Sequence, residues 1–381
     1  MRLLYCIPGL YNSGGMERVL TEKVNILVKR GYSITIVTTD QRGRKPYFCL
    51  DNSVKKIDLG LNFDLDYSLP LCKKAFLYRR KLNLYRKALE GLTAENSFDI
   101  IISLCGKEIN FWSKLKCPAK KVAEIHFAHD FKAQFIQARK KGWYWRVLGI
   151  YLSRAFILKT KKLDRLVVLT KSDAKFWSKT NNNIIQIYNP SSIQASEKPN
   201  LSIKRFIAIG RLDEQKGFDK LIEIWKNVNK TLPDWQLDIY GSGPLHESLN
   251  ACIQRMNLQD CIHLKGTTQD LKKEYLNAAG LIMTSRYEGF PLALIEAQSC
   301  GLPIIAFDCN YGPSEIITDY TNGFLIPMDN KNLMEYRIIE LAQNLNLRSA
   351  FSIQAKNDSM RFTPSFIIEK WEDLFKSLTS K

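Results

Sequence analysis

At 381 residues the chain is long for one hydrophobic core and long enough for two domains of ordinary size. Its net charge of +18 lies in the N-terminal half: residues 1–190 hold 35 Lys and Arg against 15 Asp and Glu, and residues 191–381 hold 21 against 23. The nine cysteines are scattered without a C-x-x-C pair, which excludes a disulfide framework and a zinc site and predicts reduced, mostly buried thiols. Because no apolar run has the length of a signal peptide or a membrane span, we expect a cytoplasmic protein.

The first half of the chain predicts alternating strands and helices. Six short apolar runs show no alternation with polar residues, as in strands that are buried on both faces of a parallel sheet. These runs are residues 3–7, 34–38, 100–104, 122–127, 166–169 and 184–188. Helical periodicity fills residues 16–30, 75–89 and 173–179. A polar, proline-containing segment over residues 189–200 then predicts a domain boundary.

The second half repeats the pattern. Its strands are predicted at residues 206–209, 237–240, 261–264, 280–283, 304–307 and 324–326. Helices are predicted to begin near Phe218, Pro244, Gln269 and Pro291, and a last helix covers residues 365–378. Both halves therefore predict an α/β fold of two doubly wound parallel sheets, in which ligands bind beyond the carboxyl ends of the strands.

Two carboxylates, Glu288 and Glu296, flank a predicted helix start. Pro291 lies between them, and proline suits the first helical position. Glu288 then lies in the preceding loop and Glu296 about one turn inside the helix. Because a helix N-terminus favours anionic oxygens, this arrangement can hold a phosphorylated sugar. The alternative is an ordinary amphipathic helix whose core-facing residues are Leu292, Leu294 and Ile295.

The spacing of Glu288 and Glu296 resembles the E-x7-E motif of the family 4 retaining glycosyltransferases. Other segments agree with that family in order and spacing, namely residues 14–18 (Gly-Gly-Met-Glu-Arg), 210–218, 240–245, 312–317 and 322–323. The resemblance runs almost the whole length of the chain. It is dense from residue 205 to residue 327 and thinner before residue 189.

The resemblance implies the GT-B fold, in which two Rossmann-like, doubly wound domains face each other across a cleft. Residues 1–188 would form the acceptor-side domain and residues 189–361 the domain that binds the nucleotide-sugar donor. The C-terminal helix of residues 362–381 would pack back on the first domain.

The resemblance also implies roles for particular residues. Arg211 and Lys216 would clamp the donor diphosphate, which gains negative charge as it leaves. Glu288 would bind the donor sugar hydroxyls beside the anomeric carbon, and Glu296 would bind the ribose diol. Backbone N–H groups would meet the remaining donor oxygens at Gly14, Gly15, Gly289, Phe290 and Leu292.

The chain has four histidines. A histidine at the end of a strand is more often a packing residue than a ligand. The family, however, carries a histidine in this part of the N-terminal domain that contacts the donor sugar, and His126 matches it better than His129. His246 and His263 are interpreted as surface residues, and the four do not have the spacing of metal ligands.

Asp64 and Asp66 form the only Asp-x-Asp pair of the chain, a pattern that holds a metal in many sugar transferases. No supporting ligand stands near them in the sequence, so we interpret the pair as surface polarity. Arg211 and Lys216 would take the place of the metal. We therefore expect neither a metal nor another cofactor.

The implied function is a retaining, metal-independent hexosyltransferase. It would move a sugar from a nucleotide donor, expected to be a UDP-sugar, to a saccharide or lipid-linked saccharide in bacterial surface polysaccharide biosynthesis. Three other classes stay open: a nucleotide-sugar epimerase of the same fold, a non-catalytic sugar- or membrane-binding protein, and a nucleic-acid binder. Gly14-Gly15 is not a full G-x-G-x-x-G, which disfavours a dinucleotide oxidoreductase.

A basic stretch with aromatic neighbours covers residues 131–175, and its cations include Arg139, Lys140, Lys141 and Arg154. Such a stretch can lie on an anionic membrane, follow a nucleic-acid backbone, or be a solvated helix face above a core-facing aromatic stripe. We expect peripheral contact with the inner face of the cell membrane and no nucleic-acid partner.

Overall fold

The computed structural model describes residues 1–68, 70–127 and 143–380. It divides into two compact units, one formed by Met1–Tyr188 with Ile367–Lys381 and the other by Asn189–Phe366. Each unit has its own parallel sheet and its own hydrophobic core. The predicted α/β class with two doubly wound sheets is confirmed.

The sheet of the first unit consists of β1 (Arg2–Ile7), β2 (Ser33–Thr38), β3 (Lys55–Asp58), β4 (Ile100–Ser103), β5 (Lys120–Glu124), β6 (Arg165–Val168) and β7 (Ile184–Gln186). The strands lie in the order β3-β2-β1-β4-β5-β6-β7 and pair in parallel. The winding reverses between β1 and β4, so the loops after these two strands border a topological switch point. The sequence did not predict β3, an edge strand in which three of four residues are charged.

The sheet of the second unit consists of β8 (Arg205–Ile209), β9 (Gln236–Tyr240), β10 (Ile262–Gly266), β11 (Gly280–Met283), β12 (Ile304–Phe307) and β13 (Gly323–Ile326). All six strands were predicted within two residues. Their order is β10-β9-β8-β11-β12-β13, which places the switch point between β8 and β11.

Helices connect the strands of both sheets. In chain order they are α1 (Gly15–Lys29), α2 (Leu71–Glu95), α3 (Trp143–Thr160), α4 (Lys171–Ser178), α5 (Phe218–Thr231), α6 (His246–Arg255), α7 (Leu271–Leu276), α8 (Leu292–Ser299), α9 (Pro313–Ile316), α10 (Lys331–Gln343), α11 (Leu345–Asp358) and α12 (Pro364–Thr379). No helix in the described ranges combines the length and the apolar character that a membrane span requires.

The last helix, α12, belongs mainly to the first unit. It begins at Pro364 and not at residue 362, because Ser359–Phe362 forms a separate 3-10 turn. Its apolar face joins the core of the first unit through Ile367, Ile368, Trp371, Leu374, Phe375 and Leu378. Full burial of each such side chain is worth about 1.5–3 kcal/mol, so this helix is an integral wall of that core.

The nine cysteines are free thiols. Only four of them are buried, and Cys49 and Cys72 are exposed, so the prediction of mostly buried thiols is wrong. Burial raises the pKa of the Cys300 thiol to about 12, which makes it a packing residue and not a nucleophile.

Candidate functional site

Two loops of the second unit meet at its switch point. The first, residues 210–217, follows β8, and the second, residues 284–291, follows β11. Gly217 has a φ of +66°, and a Cβ there would lie 2.3 Å from the Thr284 carbonyl oxygen, so only glycine allows this approach. The Thr284 hydroxyl donates a hydrogen bond of 3.0 Å to the Gly217 carbonyl. The two loops are therefore joined directly beyond the strand ends.

Arg286 fixes the two loops further. Its backbone N–H donates to the Gln215 carbonyl at 2.7 Å, and its guanidinium donates two bonds to Asp219, at 2.9 and 2.5 Å. Burial opposes ionisation of Asp219, but Arg286 lowers the pKa of that carboxyl below its ordinary value. The Gln215 amide donates to the Tyr287 carbonyl at 3.0 Å. Because a bidentate pair fixes orientation as well as distance, Lys216 is held in one place between these bonds.

Lys216 and Glu288 form an ion pair at the junction of the two loops. Lys216 Nζ lies 2.6 Å from Glu288 Oε1, and the side chains are 19% and 6% exposed. The structure thus brings together two residues that the sequence assigned to different parts of one donor. A cation and a carboxylate in contact at this depth offer both a phosphate partner and a hydroxyl acceptor within one small volume.

Arg211 lies on the same loop but is far more open. Its side chain is 72% exposed, with its guanidinium 2.9 Å from Asp213 Oδ2 and 3.3 Å from Gln215 Oε1. Such an exposed pair contributes little to stability, so Arg211 is free to exchange these partners for an anion.

The segment from Glu288 to Leu292 leads into α8. Glu288 and Gly289 lie in the loop, as predicted. Pro291 is not the first helical residue, because its ψ of 102° is extended, and α8 begins at Leu292. Phe290 is buried and packs edge-to-face against Phe362, with ring centres 5.8 Å apart.

Glu296 is the fifth residue of α8 and is only 3% exposed. Its Oε1 accepts a hydrogen bond of 2.5 Å from the Ser192 hydroxyl, and its Oε2 accepts one of 3.0 Å from the Tyr275 hydroxyl. Neither donor was predicted from the sequence, because they lie 104 and 21 residues away along the chain. They hold this carboxylate in one orientation.

In the first unit, Gly14 and Gly15 lie at the start of α1, beside the switch point after β1. Gly14 caps the helix, and a Cβ there would lie 2.3 Å from Glu17 Oε2, so glycine makes room for this carboxylate. Burial raises the pKa of Glu17, while its own backbone N–H, Asn12 and His126 lower it. Because an acidic side chain occupies this helix N-terminus, the turn suits sugar hydroxyls better than phosphate.

His126 lies two residues beyond the end of β5, because the strand stops at Glu124 and does not reach residue 127 as predicted. Its Nε2 is 3.2 Å from Glu124 Oε1, and Lys23 Nζ is 2.5 Å from the other oxygen of that carboxylate. This group of three side chains was not predicted from the sequence. The fallback candidate, His129, lies outside the described residues.

The other candidate ligands of a metal are already paired. Asp64 binds Arg42, and Asp66 lies 2.6 Å from Lys81. Asp66 is buried, so the prediction that this pair is surface polarity is wrong for it: it anchors the 3-10 turn Phe63–Ser68 to α2. Over the described residues no three His, Cys, Asp or Glu side chains cluster as metal ligands would.

Comparison with known proteins gives the family. Residues 191–358 match the model of the glycosyl transferases group 1. The chain is 30% identical over 376 residues to an uncharacterized glycosyltransferase of Haemophilus influenzae, covering 97% of this chain and 98% of that protein. The chain belongs to the group 1 glycosyl transferases. This glycosyltransferase is also 27% identical to the amylovoran biosynthesis glycosyltransferase AmsD of Erwinia amylovora, over 98% of this chain and 99% of that protein.

This group 1 glycosyltransferase also resembles solved structures in its fold. TarM of Staphylococcus aureus, in a crystal structure that contains UDP, gives a TM-score of 0.79 at 19% identity over 98% of this chain and 99% of that one. WaaG, a glycosyltransferase involved in lipopolysaccharide biosynthesis, gives 0.72 at 17% identity over 98% and 99%. The two parallel-sheet units are thus those of a GT-B type enzyme.

Proposed function

We propose that this glycosyltransferase moves a hexose-type sugar from a nucleotide donor, expected to be a UDP-sugar, to a saccharide or lipid-linked saccharide with retention of anomeric configuration. Membership in family 4, which carries the expectation of retention, rests on the E-x7-E spacing of Glu288 and Glu296. The TarM crystal structure with UDP supports a uridine nucleotide, because that protein shares the fold.

The contact between Lys216 and Glu288 carries the proposal. Glycosyl transfer breaks the bond between the sugar and the diphosphate, so the group that binds sugar hydroxyls and the group that binds phosphate must be neighbours. Their atoms lie 2.6 Å apart at the switch point of the second sheet, where doubly wound folds bind ligands. A bound donor would take the ammonium of Lys216 with its phosphate and leave Glu288 facing the sugar.

The remaining roles are those that the resemblance to family 4 implies. Arg211, exposed and weakly paired, would close on the diphosphate, and Glu296 would bind the ribose diol. In the first unit, His126 would contact a sugar hydroxyl. The backbone N–H groups assigned to donor oxygens are those of Gly14, Gly15, Gly289, Phe290 and Leu292.

A bacterial surface polymer is the proposed setting. The Erwinia relative is named for amylovoran biosynthesis. A second relative, 31% identical over 260 residues, is the poly(ribitol-phosphate) alpha-N-acetylglucosaminyltransferase of Staphylococcus aureus, of which this chain covers 51%. The first name denotes a biosynthetic role and the second denotes transfer to a polymer, which supports a polymeric acceptor over a small molecule.

A donor screen tests the proposal. The thermal midpoint is measured with UDP-, GDP-, ADP- and dTDP-sugars, since a ligand at 100 times its Kd stabilises the folded state by about 2.7 kcal/mol. We expect UDP-sugars to raise the midpoint most. Products of the best donor are then analysed without an acceptor, where an epimerised sugar would indicate an epimerase. No shift with any nucleotide sugar would contradict the proposal.

Metal independence is the first testable consequence. Because Lys216 and Arg211 supply the positive charge for the leaving diphosphate, activity in excess EDTA should stay within about twofold of that in buffer. Initial rates with and without EDTA measure this. Complete loss in EDTA that manganese restores would show that a metal, and not the cation pair, meets the diphosphate.

We also propose that α3 of the first unit lies on an anionic membrane. Its exposed apolar side chains stand beside exposed cations, a combination that suits a surface of acidic lipids. The apolar residues are Val147, Ile150, Tyr151, Leu152 and Leu158, and the cations are Arg154, Lys161 and Lys162. The cations Arg139, Lys140 and Lys141, which the sequence also assigned to this surface, lie outside the described residues.

Vesicle binding tests the membrane surface. Replacing both Tyr151 and Leu158, which are 67% and 62% exposed, with Glu should weaken binding to anionic vesicles about tenfold or more, because each new charge opposes the lipid. Sedimentation with vesicles at low and high salt measures the effect. Ile353→Glu on α11, also 67% exposed, is the matched control.

Replacing Arg139, Lys140 and Lys141 with Glu should also weaken binding to anionic vesicles. Transfer to a lipid-linked acceptor should slow in these variants, while transfer to a soluble analogue stays unchanged. Equal losses on both acceptors, or wild-type protein that ignores anionic vesicles at low salt, would remove the membrane proposal.

A further inference from the structure

A lysine lies inside the core of the first unit, on a helix face that is otherwise apolar. Lys23 on α1 is 1% exposed, among the buried residues Leu20, Val24 and Leu27. Its Nζ lies 2.5 Å from Glu124 Oε2 and 3.9 Å from the centre of the Trp371 ring of α12. An unpaired charge at this depth is strongly unfavourable, so the carboxylate is its necessary partner.

The same carboxylate faces His126. Glu124 Oε1 lies 3.2 Å from His126 Nε2, and the histidine side chain is only 8% exposed. The Nε2 atom is shielded from solvent and makes no hydrogen bond of good geometry. Glu124 Oε1 is the carboxylate oxygen that lies beside it. Burial alone would raise the pKa of Glu124, but Lys23 and His126 lower it to about 2. One negative charge therefore stands between two basic neighbours.

Stability does not explain the buried pair. Replacing a buried ion pair with well-packed apolar residues is often neutral or stabilising, so a structural role alone gives no reason for Lys23 at an apolar position of α1. What distinguishes this pair is its third member. Without Lys23, the whole charge of Glu124 would act on the imidazole, and an opposite charge within about 4–6 Å favours the charged form of a base.

We propose that Lys23 is a positioning residue for His126: by offsetting the charge of Glu124, it weakens the attraction of that carboxylate for a proton on the imidazole. A proton on Nε2 would face Glu124 Oε1, which lies 3.2 Å away, and Nδ1 would then be left as the acceptor for a sugar hydroxyl. The catalytic meaning of this arrangement rests on the proposed sugar contact of His126. The effect of Lys23 on Glu124 and His126 does not depend on bound substrate.

Other side chains near the His126 ring do not take over the role of Lys23 and Glu124. Glu17, in the first turn of α1, also acts on His126, but burial raises the pKa of Glu17, which makes it the weaker anion. Tyr5 of β1 lies beside Lys23, with its ring centre 5.4 Å from Nζ, and burial raises the pKa of its hydroxyl well above the ordinary value. Trp371 of α12 carries no charge. Glu124, paired with Lys23, is thus the anion that lies 3.2 Å from Nε2.

Nitrogen-15 NMR of the histidine rings tests the proposal on the whole protein, since the chain has only four histidines. The His126 signals are assigned with His126→Gln. In Lys23→Met we expect the titration midpoint of the His126 ring to lie about one pH unit or more above that of wild type. In the double variant Lys23→Met with Glu124→Gln it should return to the wild-type value or below. Leu27→Met, at another buried position of α1, is the control and should not shift.

An unchanged midpoint in Lys23→Met would overturn the proposal. Should that variant fail to fold, the double variant decides, because it buries no unpaired charge. There the Nε2–H tautomer, which we expect to dominate in wild type, should give way to a mixture once the carboxylate is absent. An unchanged tautomer ratio would also overturn the proposal.

Kinetics separate this proposal from the proposed function. Lys23→Met should lower kcat about tenfold with the donor KM unchanged, and the loss should recover as the pH is raised past the new midpoint. A ring shift without any loss of kcat would support the Lys23 assignment and contradict the sugar contact of His126.

Discussion

Replacing Lys216 with Met is expected to lower kcat by roughly 10² to 10³. The ammonium is a half-buried cation at the switch point. The negative charge that develops on the leaving diphosphate is strongest in the transition state, so turnover should suffer more than donor binding. Initial-rate kinetics over a range of donor concentrations measure both parameters. Arg211→Ala should fall in the same range, because this side chain is assigned to the same phosphates.

Lys226→Met is the matched control, because Lys226 is an exposed lysine of the following helix α5. It should retain full activity. A loss in Lys216→Met that appears only in the donor KM would show that the ammonium binds the ground state and does not assist departure of the diphosphate. Loss of the folded state can be checked by thermal unfolding, since the variant leaves Glu288 without its partner.

Glu288→Gln and Glu296→Gln should fail in different ways. Glu288 contacts the cation at the reacting centre, so its variant should lower kcat by roughly 10². Glu296 is assigned to a ribose that does not react, so its variant should raise the donor KM about ten- to hundredfold with a smaller change in kcat. Both variants are measured with the same donor and acceptor. Glu247→Gln, whose side chain is 92% exposed on α6, is the control.

The hydrogen bonds to Glu296 give a second test of its role. Tyr275→Phe removes the hydroxyl that donates to Oε2 but leaves the ring in the core. It should raise the donor KM in the same direction as Glu296→Gln, though less. If Glu288→Gln and Glu296→Gln both raise the donor KM equally and leave kcat unchanged, the separate roles proposed for the two carboxylates are contradicted.

The strands could be predicted because their signals are local, and the loops after β8 and β11 because their residues resemble motifs of a known family. The apolar run of β12, Ile304–Phe307, is fully buried, and the glycine at position 217 marks a backbone approach that no other residue allows. β3 was not predicted because its Lys55 and Lys56 lie at a sheet edge, where burial does not require an apolar pattern.

The supporting side chains could not be predicted because their signals are distant. Ser192 and Tyr275 reach Glu296 only through the packing of three separate segments. Lys23 lies 101 residues from Glu124, and in the sequence it is one more cation in a basic half. Only tertiary structure turns these ordinary residues into partners of a carboxylate.

The return of α12 to the first unit affects the order in which the nascent chain can fold. After Tyr188 leaves the ribosome, about 180 residues must be made before Ile367, Trp371 and Phe375 can complete the first core. At about 5–20 residues per second this interval lasts roughly ten to forty seconds. The second unit is continuous in sequence, so the N-terminal unit, although it is made first, is completed last and presents an open apolar face to chaperones until then.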